Sequence, residues 1–323
     1  MKRWVSSNTL GIQGMKFIDE SWAPSDPTKL VVRVHAAALN FSDLLMVEDK
    51  YQVRPPRPFT PGQEVAGVIV SAPKGSGWGI GDRVASKVIW GGFSELVEVR
   101  TDMAFRVPDN ITFAKAAALP VAYITSMVAF FDSTKVQPED TVLVHAAAGG
   151  VGLAAVEIAK AIGARVIATA GSDDKLDLAR EHGADVGINY HDKNWFQTVK
   201  EVTDGKGVNV IYDPVGGDIG INSLRCIARD GILLVVGFAS GVITKLPANR
   251  LMLKRASAKG VYWNHDYDGA MLGEMTRKLF LMLEKGQINP VVHEGQSLEN
   301  LPDAMALLQS RKTTGKVILN IPE

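Results

Sequence analysis

Residues 141–152 read Thr141-Val142-Leu143-Val144-His145-Ala146-Ala147-Ala148-Gly149-Gly150-Val151-Gly152, and the eleven residues that follow, Leu153 to Gly163, carry only two charges, Glu157 and Lys160. A short apolar run, long enough for one strand, turns through a glycine-rich loop directly into an apolar helix. A dinucleotide-binding loop requires that context. Glycines at 149 and 152 let the backbone approach a pyrophosphate, and the free N–H groups of the first helical turn face the anion. Ala147 stands where the first glycine of such a loop usually sits. The plainer alternative is a glycine-rich turn between two buried elements.

The alternation continues downstream. Arg165-Ala170 reads as a strand, Asp173-His182 as a helix with Gly183 at its C-terminal cap, and Asp185-Tyr190, Val208-Asp213 and Ile232-Phe238 as further strands. Apolar strands alternating with helices imply a parallel, doubly wound sheet over residues 119–263. Upstream the texture differs. Lys29-Val34, Glu64-Val70, Arg83-Val88 and Glu95-Val99 are short β-like runs between Pro- and Gly-rich turns, which reads as a mostly antiparallel, barrel-like domain over 1–118. After Asn264 an amphipathic pattern precedes a last strand, Lys316-Ile321, expected to return to the first block, so residues 264–323 complete that domain and the α/β domain is an insertion.

Lys+Arg and Asp+Glu both number 35, with no long run of one sign, which argues against nucleic-acid or membrane-surface partners. The single Cys226, placed in a helix, excludes an intrachain disulfide and a cysteine-rich zinc knuckle, and fits a reducing compartment. The longest apolar stretch, Ala116 to Phe131, is interrupted by Pro120, Tyr123, Thr125 and Ser126 and is expected to fall short of the ~20 residues a bilayer needs. No secretory h-region follows Met1, so the expectation is a cytoplasmic protein.

About 20 residues past a dinucleotide loop, an NAD site offers an acid to the ribose 2′-hydroxyl. Here the strand ends Thr169-Ala170-Gly171-Ser172-Asp173-Asp174-Lys175, with no acid at the strand end itself. Ser172 and Lys175 offer a hydroxyl and a cation suited to a 2′-phosphate, which favours NADPH. Asp173 and Asp174 read as partners of the helix N-terminus. Gly149, Gly150, Val151 and Gly152 are assigned to the pyrophosphate, and Gly171, Ser172, Lys175 and Tyr190 to the adenosine 2′-phosphate. Phe238, Ala239 and Ser240, at a strand's C-terminal end, are assigned to the nicotinamide half.

The loop 146–152, with Gly171-Ser172-x-x-Lys175, Gly183-Ala184-Asp185 and Ile188-Asn189-Tyr190, resembles the zinc-independent, zeta-crystallin-like quinone oxidoreductase branch of the medium-chain dehydrogenase/reductases. Ala38-Leu39-Asn40-Phe41-Ser42-Asp43, Pro61-Gly62-Gln63-Glu64-Val65-Ala66-Gly67, Asp213-Pro214-Val215-Gly216-Gly217 and Thr314-Gly315-Lys316 extend the likeness over nearly the whole chain. The resemblance implies a GroES-like β-barrel catalytic domain with an inserted Rossmann domain. It implies no metal, because Asn40 and Gln63 stand where zinc-dependent relatives place Cys and His, and neither is a good zinc ligand. It implies Asn40 and Tyr51 as hydrogen-bond donors to the substrate, Thr125 as a carboxamide partner, and Arg311 and Lys316 as residues approaching the cofactor. Asp43 either caps a helix or orients a donor. Family members often carry Gln at Glu157 and Tyr at Leu45.

The implied activity is NADPH-dependent reduction of a quinone. Reduction of the carbon–carbon double bond of enones, enals or enoyl thioesters uses the same cofactor residues, and a weakly catalytic NADPH-binding structural protein is a third reading. Relatives commonly dimerise through an edge strand of the nucleotide sheet, here Ile232-Phe238 or Ala258-Tyr262.

Overall fold

The computed structural model describes residues 1–322, so Glu323 of the expected C-terminal block lies outside the described residues. The chain forms two compact units, one running from Met1 to Val121 and again from Pro290, the other Ala122–Asn289.

The first unit opens with β1 (Lys2–Ser6) and β2 (Met15–Asp19), an antiparallel pair. It continues through β3 (Leu30–Ala38), α1 (Phe41–Val47), β4 (Glu64–Ser71), β5 (Arg83–Lys87), β6 (Leu96–Val99), β7 (Ala104–Arg106) and α2 (Phe113–Ala117). The second unit holds α3 (Ile124–Met127), β8 (Thr141–Val144), α4 (Gly150–Ile162), β9 (Arg165–Ala170), α5 (Asp173–Glu181), β10 (Val186–Asn189), α6 (Trp195–Val202) and β11 (Val208–Asp213). There follow α7 (Gly217–Ser223), β12 (Ile227–Val235), α8 (Ala248–Lys254), β13 (Ser257–Gly260) and α9 (His265–Glu284). The chain then returns to the first unit for β14 (Val292–Ser297), α10 (Leu301–Gln309) and β15 (Lys316–Asn320).

In the second unit all six strands are parallel in the order β10-β9-β8-β11-β12-β13. Val142, Leu143, Val144, Val166, Ile167 and Ile211 are fully buried, as strands covered on both faces must be. In the first unit the larger sheet runs β14-β15-β3-β4-β5-β7, with β6 also on β3, antiparallel except for the β14–β15 pair. Its apolar cluster gathers Leu30, Val32, Val34, Val65, Ile69, Phe93, Leu301, Met305 and Leu319.

Four expectations change. The inserted unit ends at Asn289 and not at residue 263: α9 buries Leu272, Met275, Leu279 and Met282 and packs on α3, so it belongs with the nucleotide sheet. The apolar stretch near residue 120 is longer than read, 21 helical residues from Phe113 to Ser133, because turns of π-helix carry the chain through Pro120. It is core: Ala114, Ala116 and Ala117 pack with Ala36, Ala38, Ala66 and Ala85, and Phe130 lies against Tyr212. Cys226 sits in the turn after α7, buried, its thiol pushed up to about 12 by desolvation. Finally β12 is interior, and β13, whose four residues are all exposed, is one of the two edges of the sheet, with β10 at the other.

Candidate functional site

The phosphate loop is shaped by backbone crowding. At the end of β8, Ala146 takes a left-handed conformation (φ 48°), which brings its carbonyl under the start of α4. A Cβ at Gly152 would lie 2.2 Å from that carbonyl oxygen and 2.8 Å from the Cα of Ala147, so no side chain fits. Gly149 is the N-cap, and the first-turn N–H groups of Gly150, Val151 and Gly152 lie beyond the reach of any intrahelical acceptor. Those are the groups an anion would meet.

His145 anchors the loop from behind. Its Nδ1 pairs with the Thr169 hydroxyl at 2.8 Å and its Nε2 with the Ser223 hydroxyl at 2.7 Å, and the ring stands edge-on to Trp195. Full burial pushes its pKa down to about 3, so it is a neutral structural histidine.

At the end of β9, Ser172 is the N-cap of α5, but its hydroxyl makes no cap bond. Lys175 lies in the first turn, half-buried, with its pKa lowered by desolvation. A Cβ at Gly171 would lie 3.0 Å from His191 Nε2 and 3.5 Å from the Tyr190 hydroxyl, so two rings from the end of β10 converge on a residue without a side chain. Tyr190 therefore meets Gly171, which Ser172 follows in the chain and Lys175 one helical turn later, and His191, not singled out in the sequence, joins Tyr190 there.

The loops after β11 and β12 are laced together. Asp213 Oδ1 accepts from the N–H groups of Val215 (2.8 Å) and Gly216 (2.9 Å), while the N–H groups of Ala239 and Ser240 donate to the carbonyls of Pro214 (3.0 Å) and Val215 (2.9 Å). Strand β12 ends at Val235, so Phe238, Ala239 and Ser240 lie in the loop beyond it and not on the strand. Thr125 Oγ1 accepts from Trp263 Nε1 at 3.0 Å.

In the first unit the site is a buried charge cluster. Lys316 Nζ donates to the Leu39 carbonyl (2.9 Å), to Asn40 Oδ1 (2.7 Å) and to Glu64 Oε2, while Asn40 Nδ2 donates to the same Glu64 oxygen at 2.8 Å. Glu64 is 0% exposed, Lys316 4% and Asn40 7%, and the N–H of Val121 donates to the other Glu64 oxygen. Buried charges persist only when paired and hydrogen-bonded in this way. The network also dictates which way the Asn40 amide points, oxygen to the ammonium and nitrogen to the carboxylate, and leaves one Nδ2 hydrogen uncommitted to Glu64.

Expected at the cofactor, the Lys316 ammonium is spent inside its own unit on three oxygens. Asp43 is the N3 residue of α1, where its Oδ2 accepts from the Asn40 N–H at 2.8 Å, and burial pushes its pKa up to about 7. Lys87 stands opposite Glu64 on β5, pushed down to about 8 by burial. Ser42 Oγ donates to Gln63 Oε1. Tyr51 packs half-buried on the apolar cluster, and Arg311 lies exposed in the turn after α10 with a left-handed backbone (φ 58°). From the sequence, Glu64 reads only as a strand start and as part of the Pro61–Gly67 motif, with no role of its own. Among the described residues no cluster of three or more His, Cys, Asp or Glu could hold a metal ion.

The sequence matches the families described as "Alcohol dehydrogenase GroES-like domain" over residues 26–109 and "Zinc-binding dehydrogenase" over 150–277. It is 39% identical over 302 residues to Quinone oxidoreductase-like protein 2 of Rattus norvegicus, covering 92% of this chain and 86% of the rat protein. Among solved structures it is similar to Escherichia coli quinone oxidoreductase complexed with NADPH (TM-score 0.92, 30% identity, 99% of this chain and 100% of that one). It is also similar to an NAD-dependent alcohol dehydrogenase (TM-score 0.91, 29% identity, all of both chains). With a GroES-like unit, a parallel nucleotide sheet and relatives matched end to end, the chain belongs to the quinone oxidoreductase branch of the medium-chain dehydrogenase/reductases.

Proposed function

We propose that the protein is an NADPH-dependent, zinc-free quinone reductase of the cytoplasm. The observation that carries the reading is the pair of bare-glycine approaches in the nucleotide unit. Gly152 lets α4 close onto the Ala146 carbonyl so that its first-turn N–H groups stand at the loop where a diphosphate would lie, and Gly171, met by Tyr190 and followed by Ser172 and Lys175, offers donors in place of the acid an NAD-binding strand end would present. NADPH supplies the hydride.

The protein's own groups divide the remaining work. The N–H groups of Gly150–Gly152 hold the pyrophosphate, with Gly149 at the cap. Lys175, Ser172 and Tyr190 hold the 2′-phosphate, and Thr125 with the 238–240 loop borders the nicotinamide half. The Asn40 Nδ2 hydrogen left over from Glu64, together with the Tyr51 hydroxyl, meets the substrate oxygen as negative charge develops. Lys316 and Glu64 hold the Asn40 amide in a single orientation, so the donor is preorganised. With Asn40 and Gln63 at the metal positions of zinc-dependent relatives, the donor set favours hydrogen-bond stabilisation over a zinc ion. Pairing of two copies along β13 is part of this reading, as is the absence of nucleic-acid and membrane partners.

Leu45 supports one alternative: an apolar side chain on α1, where relatives often carry Tyr, suits an enone or enoyl substrate as well. The test is NADPH oxidation followed by absorbance, with NADH in parallel, against quinones, enones, enals and an enoyl thioester. Turnover of quinones with NADPH preferred is expected. Turnover of enones alone moves the protein to double-bond reduction, and tight cofactor binding with no oxidation overturns both. Lys175→Ala should raise KM for NADPH about tenfold and leave that for NADH unchanged, as removal of one charge-assisted hydrogen bond would do. A stoichiometric zinc signal in elemental analysis would sink the zinc-free assignment.

A further inference from the structure

His191 has no task in the reading above, yet the fold brings it to the adenosine corner. After β10 the chain leaves extended geometry. The Asn189 Oδ1 accepts from the His191 N–H at 3.0 Å, and the Asp192 N–H donates to the Asn189 carbonyl at 3.2 Å. On a strand, neighbouring side chains point to opposite faces. This turn puts Tyr190 and His191 on the same side instead, edge to face at 5.5 Å, with His191 Nε2 and the Tyr190 hydroxyl both aimed at the bare Cα of Gly171. His191 is exposed, and an exposed imidazole with no reason to fold back would extend into water.

The chemistry of the corner calls for a further donor. A 2′-phosphate carries close to two negative charges and three acceptor oxygens. Lys175 is the only lysine or arginine from Gly171 to Leu178 and Lys193 the only one from Tyr190 to Trp195, while Asp173, Asp174 and Asp192 on the same two segments repel a dianion. Two ammoniums set against three carboxylates leave a place for a further donor, and the imidazole at Gly171 supplies one.

We infer that His191 is a specificity-determining residue that recognises the 2′-phosphate together with Lys175, so that part of the discrimination between NADPH and NADH is set from the end of β10. The inference rests on the NADPH reading. Its test is calorimetric binding of adenosine 2′,5′-bisphosphate and of 5′-AMP to the intact protein, which separates phosphate recognition from catalysis. His191→Asp should weaken the bisphosphate about fivefold, the scale on which an exposed donor replaced by a like charge acts on a phosphate, and leave 5′-AMP affinity unchanged. His191→Arg should keep or strengthen the preference. Unchanged 5′-AMP binding also reports that each variant is folded. If wild type prefers the bisphosphate, Lys175→Ala loses that preference and both His191 variants keep it, the assignment of His191 is wrong while the NADPH reading stands. If wild type binds the two ligands equally, the NADPH reading fails and this inference with it.

Discussion

Asp43 is the residue at which burial and charge are most plainly opposed. Desolvation raises its pKa, while the Asn40 N–H and the nearby Lys316 ammonium favour the carboxylate, and the balance lies at about 7. In the unfolded chain an aspartate titrates at about 3.9, so between those values the native state holds a proton the unfolded chain has released. Stability contributed by this group is therefore full below about pH 4 and is lost as pH rises through about 7. Asp43→Asn keeps an acceptor for the Asn40 N–H and removes the titration. Its melting temperature should fall less than that of wild type between about pH 5 and pH 8, a difference of roughly 2 kcal/mol; parallel slopes would refute the assignment. The capping role was legible in the sequence, because Asn40-x-x-Asp43 before an apolar run is a helix start. The fate of Lys316 was not. Its partner Glu64 is 252 residues away, and no local pattern distinguishes a lysine that reaches a cofactor from one that neutralises a buried acid.

The elements were legible where period and punctuation agree, as at β8, β9, α4 and α5. They were misread where the chain inserts residues without leaving the sheet. Val208 pairs with Ile227 but Val210 with Ile232, so β12 bulges across Arg229-Asp230-Gly231, with Asp230 left-handed at φ 61°. Two charges and a glycine look like a turn, and the strand then reads as beginning only at Ile232. The phosphate loop offers the sharpest test at this scale. Gly152→Ala forces a methyl group against the Ala146 carbonyl, where backbone and not a mobile side chain must yield. We expect a loss of roughly 2–3 kcal/mol in denaturant melts and no detectable binding of adenosine 2′,5′-bisphosphate. A variant of wild-type stability and affinity would mean that α4 approaches β8 less closely than this crowding requires.

At the scale of the whole molecule, the exposed β13 is the feature that bears on assembly. The Val261 N–H donates to the Val235 carbonyl, so by alternation the N–H groups of Lys259 and Ser257 also face β12, while those of Ala258 and Gly260 face outward. Ala258→Pro deletes an outward donor and spares the inward ladder. It should turn the proposed dimer into a monomer by light scattering without lowering the melting temperature of the monomeric unit; persistence of a dimer would exclude this edge. The catalytic unit carries a different constraint, one of timing. Glu64, Asn40 and Asp43 leave the ribosome early, but the strand that adds to the β3 edge and the cation that neutralises Glu64 both arrive with Lys316–Asn320. The nucleotide unit has all its residues once Asn289 is made. Domains fold as they emerge, so it is free to form first. Until the last strand docks, the first unit is an open sheet edge beside an uncompensated acid, so the buried Glu64–Asn40–Lys316 cluster is completed only after every residue of the nucleotide unit has been made.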